Sequence, residues 1–197
     1  MKSKRFLILL FFIFSLSNIN YSSSIEPDIF VQSTVNRASE ALNNKNSKEE
    51  KIEKLKQIAS ETVDVKGIGF YTLGAFKKNI SKDELKQYEN LFNLYFLKSF
   101  SSRLAEYSNP EIEVVSKKKL SENYTMVSSI LVSTEKRPEV KIDWRIYTKD
   151  PENPLIRDLI IEGLSLARTQ KEEFSSIIQS NDGDINSLFA TLKEFIK

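Results

Sequence analysis

With 197 residues, 40% hydrophobic and 28% charged side chains, and only 5 glycines and 5 prolines, the chain has the size and composition of one ordered globular domain. It contains no histidine and no cysteine, which removes imidazole acid–base work, thiol nucleophiles, Ser-His-Asp triads, disulfides and the usual zinc ligand sets. A formal charge of +2 is too small to make it a polyanion binder, so nucleic acid is excluded as a partner.

Residues 1–24 read as a secretory signal peptide. Lys2, Lys4 and Arg5 form a basic start, and Phe6 to Phe14 is an unbroken apolar run followed by Ser15-Leu16-Ser17 and Ser22-Ser23-Ser24. The run is well short of the roughly 20 residues that span a bilayer. Cleavage is expected between residues 17 and 25, with no cysteine available for lipoprotein processing. Removing the three basic residues takes the charge from +2 to −1 (26 Lys and Arg against 27 Asp and Glu).

Residues 25–197 are expected to form a single domain. Pro27 opens an amphipathic helix through Leu42, and Ser47 with Glu50 opens a second, charged one carrying Ile52, Leu55 and Ile58. Val63 to Phe76, with Gly67, Gly69 and Gly74, reads as one or two short helices. Ser81 and Glu84 then cap a helix to Tyr107, about 25 residues or roughly 37 Å long. That helix has more apolar positions than one stripe requires, so it faces apolar material on several sides.

Four strands are predicted after Pro110: Ile112 to Lys118, Tyr124 to Thr134, Val140 to Thr148 and Leu155 to Glu162. The second presents Tyr124, Met126, Ser128, Ile130 and Val132 on one face. The third presents Val140, Ile142, Trp144 and Ile146 opposite Lys141, Asp143 and Arg145. Short turns make the sheet antiparallel. Two helices close the chain, Leu164 to Ser180 and one capped by Asp184. The expected class is α+β: a curved four-stranded antiparallel sheet against a largely helical layer.

Apparent chemical motifs dissolve on inspection. Gly163-Leu164-Ser165-Leu166-Ala167 has the place of a nucleophile elbow but lacks the second glycine and any histidine, so Ser165 reads as a first-turn helix residue. Asn181-Asp182-Gly183-Asp184 lacks the distant glutamate of a calcium loop. Lys117-Lys118-Lys119 is a charge run suited at most to docking on an anionic surface. No catalytic residue, metal ligand or cofactor motif remains.

From Val63 onward the chain resembles the MlaC family, also called the toluene-tolerance or ABC-transporter auxiliary-component family. The residues that carry the resemblance are Leu73-Gly74 with Phe76, Ile80-Ser81-Lys82-Asp83-Glu84, Phe92, Leu97 and Leu104-Ala105-Glu106-Tyr107. Val140-Lys141-Ile142-Asp143-Trp144, then Asp158 to Leu166 with its Glu162-Gly163-Leu164-Ser165 tetrad, Phe174, Ile178 and Gly183-Asp184-Ile185 to Leu192 complete it. Lys77, where the family often has Trp, and Leu155-Ile156-Arg157, in place of Trp-x-Val-Tyr, depart from the pattern.

The resemblance implies a soluble periplasmic phospholipid carrier, with the lipid as cargo rather than cofactor. It implies a hydrophobic cavity between the curved sheet and the helices. It further implies two docking partners, an inner-membrane ABC transporter with its substrate-binding ring and an outer-membrane lipoprotein complex, and a monomeric carrier in a system that maintains outer-membrane lipid asymmetry. Read with the periodicity, the expected walls are Ile68, Leu73, Phe92, Tyr95, Phe96, Phe100, Met126, Ile130, Val140, Ile142, Trp144, Ile160 and Leu164. A hopanoid cargo, and a periplasmic adaptor or chaperone without lipid, stay open; an enzyme is the poorest match for a chain without His or Cys.

Overall fold

The computed structural model describes residues 24–43, 45–135 and 137–197, so the expected leader lies outside the described residues except for Ser24. Helices come first, a sheet follows, and two helices close the chain. Helix α1 (Pro27–Ala41) begins with proline, whose missing N–H would have no intrahelical partner there anyway. Helices α2 (Lys48–Thr62) and α4 (Lys82–Leu104) both open on capping boxes, Ser47 with Glu50 and Ser81 with Glu84. In each, the hydroxyl accepts the glutamate's N–H and the carboxylate accepts the serine's. Between them lies α3 (Val65–Leu73), capped by Asp64 on the Gly67 N–H at 2.8 Å and followed by a 3₁₀ turn over Gly74–Lys78.

The sheet is antiparallel and its strands lie in chain order: β1 (Ile112–Ser121), β2 (Tyr124–Leu131), β3 (Val140–Tyr147), β4 (Leu155–Ile161) and β5 (Leu164–Ser165). The fifth, two-residue strand falls where periodicity starts a helix; α5 (Leu166–Gln179) begins only after it, and α6 (Ile185–Ile196) ends the chain. The cause is local. Glu162 (φ 49°) and Gly163 (φ 83°) both adopt positive φ, the two-residue hairpin geometry that reverses the chain after β4. Ser165 then caps α5, accepting from Arg168 N–H at 3.1 Å and donating to Asp158 Oδ2 at 2.6 Å, while the Ala167 N–H donates to Asp158 Oδ1 at 3.0 Å. The Glu-Gly-x-Ser tetrad is therefore a folding device that turns α5 back onto β4, and Ser165 is a helix cap.

Register decides which side chains meet the helices. Thr125, Val127, Ser129 and Leu131 of β2 pair with Ile146, Trp144, Ile142 and Val140 of β3. Residues opposite one another in a sheet share a face, so these eight point inward and are buried apart from the half-buried Val140. The β2 face read from the sequence is thus reversed: Met126 and Ile130 pair with Arg145 and Lys141 on the outward face. Ile160 is also outward, opposite Asp143, while Leu159 and Ile161 oppose Trp144 and Ile142.

One apolar cluster joins the inward sheet face to Val31 and Val35 of α1, Tyr88 and Phe92 of α4, Phe174 and Ile178 of α5 and the buried side of α6. The principal helix–sheet packings lie on either side of β3: α1 along β1 and β2, α3 and α5 along β4. Helix α4 packs mainly on α2, α3 and α6, so the inner face of β3 joins the core through side chains. Arg157, an extra residue at a bulge in β4, stacks 3.8 Å from the Tyr147 ring and pairs with Asp64 at 2.6 Å, which fastens the start of α3 to the sheet. Among the described residues no helix is long and apolar enough to cross a membrane.

Candidate functional site

An aromatic row along α4 is the most distinctive apolar feature. Tyr88, Phe92, Phe96 and Phe100 recur every fourth residue and therefore line one side of the helix, with ring centroids 5.6, 6.1 and 5.6 Å apart. The first two are buried, at 0 and 2% exposure; the last two are half-buried and stacked within 8° of parallel. The row leads from the core toward solvent. Gly69 lets α3 approach it, because a Cβ there would meet Phe92 at 2.8 Å.

The open end of the row lies toward one end of the sheet. Just past α4, the Tyr107 ring stands 5.7 Å from the Arg137 guanidinium of the β2–β3 connection, beside which β3 starts at the half-buried Val140. Leu97 of α4, Leu159 of β4 and Ile112 of β1 are likewise half-buried against the core. Side chains that large, half-wet yet continuous with a core, leave apolar area that a hydrocarbon chain could cover.

The polar groups in this wall are satisfied by one another. Trp144 Nε1–H donates to Ser129 Oγ at 2.8 Å, and that hydroxyl donates to the Ile142 carbonyl at 3.2 Å. Thr72 Oγ1 lies 2.8 Å from the Tyr88 hydroxyl and donates to the Gly69 carbonyl at 2.8 Å, and Tyr95 OH donates to Gln170 at 2.9 Å. Burial pushes the Tyr88 phenol far above its ordinary range, against the smaller opposing effect of the Thr72 bond. Burial raises Tyr95 as well, helped by the charge of Glu173. Both stay neutral at any physiological pH, so neither phenol brings a charge to the wall. Among the described residues, no three acidic side chains gather where they could hold a metal ion.

Of the expected wall residues, the fold brings nine into one cluster: Ile68, Leu73, Phe92, Ile142 and Trp144 are buried in it, and Tyr95, Phe96, Phe100 and Val140 lie half-buried against it. Four others stand elsewhere. Met126, Ile130 and Ile160 are on the outward face, and Leu164, in β5 just past the turn, is 58% exposed. Val127, Leu131, Leu159 and Phe174 belong to the cluster but are absent from the sequence-based set. For β2 the signal was available only through β3, whose Val140, Ile142, Trp144 and Ile146 declare their face clearly; the β2 partners follow once the register is known.

The profile of the family described as MlaC protein matches residues 32–194. The chain belongs to the MlaC family. Among solved structures, one that it resembles is a phospholipid-binding protein from Ralstonia solanacearum, determined in complex with a phospholipid. The two share 19% identity and a TM-score of 0.72, over 87% of this chain and 97% of the other. At that identity the match speaks for the fold alone. No curated protein matches the chain. Lys77 stands 4.1 Å above the Phe70 ring, and Arg157 lies 3.8 Å over Tyr147.

Proposed function

We propose that this protein is a periplasmic phospholipid carrier, exported through a signal peptide over residues 1–24 that is cleaved between residues 17 and 25. It would work as a monomer in an Mla-type system that moves phospholipid between the outer and inner membranes and maintains outer-membrane lipid asymmetry. Its docking partners would be an outer-membrane lipoprotein complex and an inner-membrane ABC transporter with its substrate-binding ring. The observation that carries this reading is the aromatic row of α4, running from buried Tyr88 and Phe92 to half-open Phe96 and Phe100. The fold it shares with a protein solved around a phospholipid supports the same reading.

The mechanism needs no bond-making chemistry. Acyl chains laid along Phe96, Phe100, Val140 and Ile142 leave water at about 0.8 kcal/mol per methylene, so a dozen buried methylenes supply roughly 10 kcal/mol. With Trp144, Ser129, Thr72, Tyr88 and Tyr95 already paired, the wall does not discriminate between chains, and a head group left near the half-open end keeps its hydration. Release would then require a partner that offers the chains another apolar surface.

Native mass spectrometry of protein gently purified from a bacterial host tests the reading. A one-to-one diacyl lipid adduct is expected, identified after organic extraction. An empty protein that also fails to load from liposomes would overturn it, and an extracted triterpenoid would reassign the cargo.

A further inference from the structure

The α3 side of the molecule carries a second, differently built surface. Lys66 Nζ and Lys77 Nζ both stand over the Phe70 ring, at 5.3 and 4.1 Å from its centroid, and Lys171 of α5 stands 5.2 Å from the adjoining Tyr71 ring. Tyr71 is 45% exposed, and Phe70 and Phe76 are half-buried. Lys66 is paired with Glu89 at 3.2 Å, but Lys77, Lys78 and Lys171 have no carboxylate within ion-pair distance among the described residues. Beside Phe70 a crevice of about 230 Å³ opens between α3 and α4, lined by Gly69, Phe70, Tyr88 and Phe92 and by Lys66 with its partner Glu89, Asn90 and Asn93.

The lysine run on β1 makes the contrast. Lys117 is consumed by Glu26 at 2.5 Å and Asp28 at 2.8 Å, so that run has lost part of its charge to the start of α1. Lys77, Lys78 and Lys171 keep theirs, and Lys77 and Lys171 hold it beside aromatic rings. Ammonium groups ringing half-exposed aromatics suit a membrane interface, where rings settle at head-group depth and lysines reach lipid phosphates. An acidic protein surface would use the charge but would leave the exposed Tyr71 ring and the aromatic lining of the crevice without purpose.

We infer that the face formed by Lys66, Phe70, Tyr71, Lys77, Lys78 and Lys171 docks the protein on an anionic phospholipid bilayer. Contact is electrostatic at first, and Tyr71 then settles among the head groups, whatever the molecule carries.

Vesicle flotation of the soluble protein obtained by expressing the full chain tests this, with phosphatidylcholine vesicles compared to phosphatidylcholine–phosphatidylglycerol vesicles at low and high salt. Binding is expected only with phosphatidylglycerol and should fade with salt. The variant Lys77→Gln/Lys78→Gln/Lys171→Gln should lose about five-fold per lysine, on the order of 100-fold in all. Tyr71→Ser should weaken binding at unchanged charge. The control Lys45→Gln/Lys118→Gln/Lys119→Gln removes the same charge elsewhere and should bind nearly as wild type. Absence of binding to anionic vesicles, or equal loss in the control, would overturn the assignment. Lipid content of each variant by native mass spectrometry reports separately on carriage, so failure of docking and failure of the carrier reading are distinguishable.

Discussion

Trp144 and Ser129 close a hydrogen bond of 2.8 Å between β3 and β2, on the inward face of the sheet, where the serine is fully buried. The chain's only tryptophan thereby buries its polar edge against the protein itself and presents its ring to the apolar cluster. Ser129→Ala should leave the indole N–H unpaired and cost about 1–3 kcal/mol in urea unfolding, much of it recovered in Ser129→Ala/Trp144→Phe. Removing a bound lipid should shift Trp144 emission, and vesicles should restore it, with far-UV circular dichroism unchanged. An unchanged spectrum after verified lipid removal would make Trp144 plain core.

Ile142 and Ile130 separate the two faces of the sheet. Ile142→Asp puts a charge into the inward wall and should sharply reduce co-purified lipid, with some loss of stability from a buried unpaired carboxylate. Ile130→Asp lies outward opposite Lys141 and should leave lipid content unchanged, shifting stability by less than about 1 kcal/mol. Equal lipid loss in both variants would refute the assignment of faces.

The β4–β5 turn can be dissected by substitution. A Cβ on Gly163 meets nothing within 4 Å, so Gly163→Ala isolates the backbone cost of φ 83°, about 1–2 kcal/mol. Asp158→Ala should cost more, about 2–5 kcal/mol, because it strips the Ser165 hydroxyl and the Ala167 N–H of their shared acceptor in a buried site. If chemical denaturation gives the two variants equal midpoints, Asp158 is not the fastening of α5.

Acid should weaken the fold through its helix starts. The Ser47 and Ser81 backbone N–H groups, then their hydroxyls, hold Glu50 and Glu84 below the usual glutamate range, and the Lys117 hydrogen bond does the same for Asp28. A carboxylate whose folded value is lowered stabilises the fold above its unfolded value and loses that contribution as pH falls through the folded one. The unfolding midpoint should therefore drop on the acid side of the ordinary carboxylate range, less steeply in Glu50→Gln/Glu84→Gln. Identical acid profiles for variant and wild type would remove the caps from the explanation.

Much of this fold is written locally. The capping boxes at Ser47 and Ser81, the proline start of α1 and the alternation of Val140, Ile142, Trp144 and Ile146 each depend on residues a few positions apart, so the elements and the inward face of β3 are legible in the sequence. Absence of His and Cys likewise bounds the chemistry before any fold is known.

What the chain alone left open was long-range. In β2 both faces carry plausible core residues, Met126 and Ile130 against Val127 and Leu131, and a shift of one residue exchanges them; only pairing with β3 across the 132–139 connection selects Val127 and Leu131. Leu164 reads as helix by periodicity, yet positive φ at Glu162 and Gly163 places it in an exposed two-residue strand. Lys66 and Lys77 reach Phe70 within one local segment, but Lys171 joins them at Tyr71 only because α3 and α5 pack together. Local propensity operates over a few residues, whereas register and surface charge are decided by which distant segments come to share a face.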